Sequence, residues 1–158
     1  MSRGAKLHEL RVVYEQRGAP GRRMLSSRDV HSFLLGAVPS LAYQTDESFF
    51  VLALDARHRI VAWSELFRGP MTACPVDPAS VFRWALMSGA VSIVIAHSHP
   101  SGCPQASPED VALTRRLVDA GRIIGIEILD HVIVGDATSY FSFLDAGFLS
   151  KPEPEGGA

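Results

Sequence analysis

Cysteine is nearly absent from this chain: there are two in 158 residues, Cys74 and Cys103, standing 29 positions apart. So few exclude a disulfide-stapled scaffold and a four-cysteine zinc knuckle, and they fit a reducing compartment, so a cytoplasmic location is expected. Long apolar runs are missing too, since no stretch approaches the ~18 unbroken apolar residues of a membrane-spanning helix. The start, Met1 to Leu10, carries Arg3, Lys6, His8 and Glu9 where a signal peptide would have an apolar core, so neither export nor a membrane partner is expected. Nor is there an excess of either charge. Fifteen basic and seventeen acidic residues give a net charge of −2 and a pI near 6.3, which argues against a protein whose affinity comes from blanketing phosphates. What the chain does have is apolar mass, 47% of residues, enough to bury one core and form one domain. With cysteine scarce, the six histidines become the candidate metal ligands.

Punctuation divides the chain into short elements. Residues 1–25 mix charge with the Gly18-Ala19-Pro20-Gly21 break, so they read as an arm with at most a short strand from Leu10 to Tyr14. Ser26 or Ser27 caps a helix from about Arg28 to Gly36. The apolar runs Phe49 to Asp55 and Ile60 to Trp63 flank Ala56-Arg57-His58-Arg59 as a hairpin. Asp77 and Pro78 open a helix that Gly89 closes. Val91 to Ala96 is wholly apolar, the pattern of a strand covered on both faces. After the turn-rich loop Pro100 to Pro108, Ser107 caps the longest helix, running to about Ile124. Ile126 to Val134 and Ser139 to Leu144 read as further strands, and residues 150–158 have the composition of a disordered tail. The order of elements predicts an α/β domain of three layers, with helices on both faces of a mixed sheet.

The chemistry concentrates between His97 and Asp110. In an extended segment side chains alternate with period two, so His97 and His99 face one side of the chain and can address one metal ion. Ten residues separate His99 from Asp110, and a Pro/Gly loop of that length can fold back to bring the helix-start carboxylate in as a third ligand. Two nitrogens and an oxygen leave a fourth tetrahedral position open, as in a catalytic zinc site. Zinc there would bring a water's pKa toward neutrality. A His-x-His pair alone equally fits strand-end histidines bonded to their neighbours; the loop and the Ser107/Asp110 cap tip the reading toward metal.

These residues carry a resemblance. His97-x-His99-Pro followed by Ser107-x-x-Asp110 matches the JAMM motif of the JAB/MPN metalloproteases. The finer string His-Pro-Ser-Gly-x-Pro, with Leu66-Phe67-Arg68-Gly69 upstream and Leu129-Asp130-His131 downstream, resembles the RadC branch across residues 26–149. The resemblance implies a JAB/MPN-like α-β-α fold, related in layering to cytidine deaminases, and one Zn2+ per chain held by His97, His99 and Asp110. It also implies Ser107 as the donor to a developing oxyanion, beside its role as helix cap. A glutamate that moves protons is required. Glu47, just before the Phe49 strand, matches it best, and Glu65 is the fallback. Asp130 and His131 either orient a ligand imidazole or form a satisfied polar pair beside the sheet, and the second reading is preferred. Cys103, four residues after His99, departs from the family and is either a fourth ligand blocking the metal or an ordinary loop thiol. Ala106 stands where relatives carry proline, which loosens the loop.

The expected function is therefore a zinc-dependent hydrolase of the JAMM type, a peptidase or isopeptidase acting on a protein or peptide. The alternative is a RadC-type accessory protein linked to DNA repair or mobile elements, with a vestigial or nuclease-like site; the acidic charge balance disfavours direct nucleic-acid binding. Full-length relatives carry an N-terminal helix-hairpin-helix region that this length does not accommodate, so a short stand-alone form is expected. A non-catalytic scaffold would have lost ligands that this chain keeps. A zinc nucleobase deaminase needs His-x-Glu and Cys-x-x-Cys, which are absent. The sequence leaves monomer and homodimer open.

Overall fold

Two strands without polar alternation set the layering. β1 (Ser48–Leu54) and β3 (Ser92–Ser98) are buried at every position, which requires a cover on both faces of the sheet. In the computed structural model, which describes residues 21–70 and 76–150, that cover is three helices. The strand expected at Leu10 to Tyr14, Cys74, and residues 151–158 lie outside the described residues.

The sheet has five strands in the order β2-β1-β3-β4-β5, with β2 spanning Ile60–Arg68, β4 Glu127–Val134 and β5 Tyr140–Ser142. β1 is antiparallel to both β2 and β3, β3 is parallel to β4, and β5 returns antiparallel. α1 (Ser27–Ala37) packs on one face, where Val30 and Leu34 join Phe50, Leu52, Val94 and Val132. α2 (Pro78–Met87) and α3 (Pro108–Ile124) cover the other, where Val81, Phe82 and Leu117 meet Phe49, Val51, Ile93 and Ile95. Each such side chain, once fully buried, contributes ~1.5–3 kcal/mol. The three-layer α/β fold with a mixed sheet is the one the element order predicts.

Local chemistry fixes the ends. α1 starts at a capping box in which Ser26 and Asp29 satisfy each other's main-chain N–H groups. Asp77 caps α2 with Pro78 at its first turn. α3 begins at a second capping box, Ser107 with Asp110, and ends at Gly125, whose φ of +83° is the left-handed turn glycine takes most easily. Two boundaries differ from expectation. β2 continues beyond Trp63 to Arg68 because it is an edge strand, where polar Ser64 and Glu65 can stay half-exposed. Residues ahead of α1 are also packed: Arg23 bridges to Arg59, and the Met24 side chain is buried in the α1-side core.

Candidate metal centre

β3 delivers the first candidate ligand and β4 the frame for the second. His97 is the penultimate residue of β3 and shares its face with Ile93 and Ile95, toward α2 and α3. His99 lies just past the strand, but its N–H donates to the Val134 carbonyl at 2.9 Å, which prolongs the parallel ladder and keeps the period of two. The two Nε2 atoms are therefore only 2.9 Å apart. The loop then turns back on itself. The Gly102 N–H donates to the His99 carbonyl, Ser139 Oγ donates to the Gly102 carbonyl, and Ser107 stops the loop by opening α3. Asp110 arrives in the first turn of α3 with Oδ1 3.1 Å from His97 Nε2 and Oδ2 3.3 Å from His99 Nε2. Ligand atoms of His97, His99 and Asp110 all fall within 4.8 Å of one another, the one such trio among the described residues.

The surrounding hydrogen bonds set the protons. His99 Nδ1 lies 2.9 Å from the Cys103 carbonyl, which can only accept, so Nδ1 keeps its hydrogen and Nε2 is the atom that gains or loses a proton. The hydrogen bond to Asp110 raises the His99 pKa against its burial, helped by the Cys103 carbonyl and by the charges of Asp110 and Glu47. Burial pushes the Asp110 carboxyl upward, but the His97 and His99 rings beside it and the Ser107 N–H overcome it and hold the group far below the usual carboxylate range. An anionic oxygen thus faces two imidazoles whose edges converge on it. Two nitrogens and a carboxylate oxygen are the donor set of an open tetrahedral zinc-type site, and they fit a borderline divalent ion.

The remaining predicted residues fall into place unevenly. Ser107 Oγ accepts the Asp110 N–H at 3.1 Å, and the Ser107 N–H donates to Asp110 Oδ2 at 2.8 Å. Its hydroxyl proton has no acceptor among the described residues, so the cap leaves it available to donate. Glu47 is half-buried, directly ahead of β1, and its carbonyl accepts the Gly69 N–H. By parity it follows Phe49, the strand partner of His97, and its charge is felt at His99. Glu65 sits across the sheet. It is paired with Phe50 on the α1 face and is held by Arg68 through two bonds of 2.9 and 3.0 Å. A register shift at Leu66 divides it from Phe67, which packs on the His97 face. Cys103 is exposed and contributes its carbonyl, while its sulfur is not part of the ligand trio.

Asp130 and His131 divide between the two readings offered for them, and the preference for a bland pair is corrected at His131. Asp130 is the satisfied residue: its carboxylate accepts from the His131 N–H, the Ser142 hydroxyl and the Leu144 N–H at 2.7–2.9 Å. Burial outweighs those donors and lifts its pKa to about 6. His131, fully buried, lies against His97, with Nε2 2.7 Å from His97 Nδ1 and Nδ1 2.6 Å from Thr114 Oγ1. Burial, reinforced by His97, drives its pKa well below the ordinary histidine value and keeps the ring neutral. Sequence reasoning passed over Thr114. Its signal was a polar residue one helical turn after Asp110, on the apolar side of α3.

With this geometry in view, comparison with known proteins adds the context. The model of the RadC-like JAB domain matches residues 24–148. A UPF0758 protein of Symbiobacterium thermophilum is 42% identical over 134 residues, covering 84% of this chain and 56% of that protein. A UPF0758 protein of Methanosarcina mazei is 38% identical over 130 residues, covering 82% of this chain and 55% of its own length. One from Thioalkalivibrio sulfidiphilus is 42% identical over 131 residues, 83% of this chain and 56% of its own. The chain spans about half the length of the curated relatives it matches. No helix among the described residues is long and apolar enough to cross a membrane.

Proposed function

The chain belongs to the RadC-like JAB domain family, and from that premise we propose that it is a metal-dependent hydrolase of peptide or isopeptide bonds. The single observation that carries the reading is the convergence of His97 Nε2, His99 Nε2 and an Asp110 carboxylate oxygen on one point at the end of β3. His97, His99 and Asp110 would hold the ion, zinc being the first candidate. A divalent ion bound there supplies Lewis acidity that polarises a carbonyl and acidifies a water.

The protein's own residues do the rest. Glu47 accepts a proton from the attacking water at its carboxylate and passes it to the leaving amine nitrogen. Ser107 donates its hydroxyl hydrogen to the carbonyl oxygen as charge develops on it, an interaction of ~3–4 kcal/mol when such a donor is fixed in advance. Asp110 cannot drift, because the same carboxylate closes the α3 capping box. His99 cannot rotate without breaking its bond to the Cys103 carbonyl.

The test is hydrolysis of internally quenched peptides and of a lysine-isopeptide conjugate by the zinc-loaded protein. Turnover abolished by His99→Ala supports the reading. Cleavage of a DNA phosphodiester with no cleavage of either amide substrate overturns it.

A further inference from the structure

We propose that His131 and Thr114 are positioning residues of the metal site, forming a hydrogen-bond chain of one direction that fixes the tautomer of His97 and ties it to the main chain of Asp110. The proposal rests on the metal reading above and deepens it.

The direction follows from counting protons. Thr114 Oγ1 lies 2.7 Å from the Asp110 carbonyl oxygen, which can only accept, so the single hydroxyl hydrogen of Thr114 points there. Toward His131 Nδ1, 2.6 Å away, Thr114 has only a lone pair left, so Nδ1 of His131 must be the donor. His131 is fully enclosed against Phe49 and Phe143, and with its one ring hydrogen on Nδ1 its bare Nε2 accepts from His97 Nδ1 at 2.7 Å. With its hydrogen on Nδ1, His97 turns Nε2 toward His99 and Asp110 as the atom that can offer a lone pair. Reversing any one link would place a hydrogen on His97 Nε2, in the space a metal ion would take.

The architecture holds the chain in register. Asp110 and Thr114 are one helical turn apart on α3, so the hydroxyl of the second lies against the carbonyl of the first. On the parallel β3/β4 ladder His131 pairs with Ile95, two residues before His97, so both histidines face α3. The His131 ring is stacked on Phe143, with centroids 4.8 Å apart and planes 8° from parallel, and meets the Phe49 ring edge-on. Its plane is thereby fixed. The strand that carries His97 and the helix that carries Asp110 are cross-linked immediately behind their ligand atoms. Because the chain ends on a carbonyl and Thr114 is buried, it leads no proton to solvent. It orients and does not relay.

The test compares wild type with Thr114→Val, which keeps the shape and loses the hydroxyl, and Thr114→Ser, which keeps the hydroxyl. Zinc affinity is read by competition with a chromophoric chelator, and histidine tautomers by 15N NMR of the metal-free protein. Wild type is expected to show Nδ1–H on both His97 and His131. Thr114→Val is expected to lose about 10–100-fold in zinc affinity and to shift hydrogen toward Nε2 on both rings, while Thr114→Ser restores both readouts. A role in packing alone would not move the tautomers. Wild-type affinity and tautomers in Thr114→Val overturn the proposal. Should that variant fail to fold, Nε2–H on His131 of the wild type overturns it alone. Wild-type protein that binds no zinc defeats the metal reading, whereas zinc binding with an unchanged Thr114→Val defeats only the positioning chain.

Discussion

Substituting Gly135 with alanine should loosen the ligand loop from outside. Gly135 follows β4, and the Gly102–Pro104 stretch of the loop lies directly on it. A Cβ added there would come 2.5 Å from the Gly102 carbonyl oxygen, 2.7 Å from Ser139 Oγ and 2.9 Å from Pro104 Cδ. Two of those three atoms belong to main chain or to a proline ring and have no flexible end to swing away. Gly135 is not among the glycines at positive φ, so the cost is contact and not backbone strain. Overpacking of this kind costs ~1–3 kcal/mol, and at ~2–4 °C per kcal/mol for a domain of this size the melting temperature should fall by about 2–12 °C. The displacement has a second readout. Gly102 donates to the His99 carbonyl, and the neighbouring Cys103 carbonyl orients the His99 ring, so zinc affinity should fall as well. Gly36→Ala in α1 is the control. Its Cβ meets nothing within 4 Å, and the exchange should stabilise the helix by ~0.5–1 kcal/mol. Thermal unfolding followed by circular dichroism, with chelator competition for zinc, measures both. Gly135→Ala that melts within ~1 °C of wild type and binds zinc equally well refutes the reasoning.

Three further outcomes are expected. Glu47→Gln should keep zinc and lower turnover by about 10²–10⁴-fold, whereas Glu65→Gln, which removes only a solvent-screened pair with Arg68, should leave turnover near wild type; the reverse pattern in steady-state kinetics would move the base to Glu65. Asp130 has a folded pKa of about 6 against an ordinary 3.8, so the folded protein holds a proton that the unfolded chain has released. The stability this contributes is complete below pH ~4 and is lost as pH rises to ~6, ~1.4 kcal/mol per pH unit and ~3 kcal/mol in all. Asp130→Asn, whose amide can still meet Ser142 and the two N–H donors, should show a flatter urea-unfolding profile across that window, and an unchanged slope would count against it. Zinc affinity should decline on acidification from above pH 6.5, because Asp110 raises the His99 pKa beyond that value and protons compete for the ligand; calorimetry showing affinity flat from pH 8 to ~5.5 would contradict this.

How far the sequence could be read depended on whether the deciding interaction was local. The start of α2 was legible because Asp77 and Pro78 act on the turn they open, and α3 because Ser107 caps it. The convergence of His97, His99 and Asp110 was legible because strand parity and a single loop relate them. β2 was read as too short because Ser64 and Glu65 break the apolar run, yet an edge strand tolerates them on its half-open face. The contact of His131 with His97 was left open for a different reason. Which face of β4 meets His97 depends on the β3/β4 register, and that register is set by a crossover through α3 that no local pattern records. The opposite facing of Glu47 and Glu65 likewise follows from the β1/β2 register and its shift at Leu66.

The central claim is that His97, His99 and Asp110 form a single metal site. Metal content of wild-type protein and His99→Ala, purified side by side and assayed by plasma emission spectroscopy after equilibration with zinc and desalting, tests it most directly. One zinc per wild-type chain and little in the variant is the expected result; equal metal in both, or none in the wild type, would contradict it.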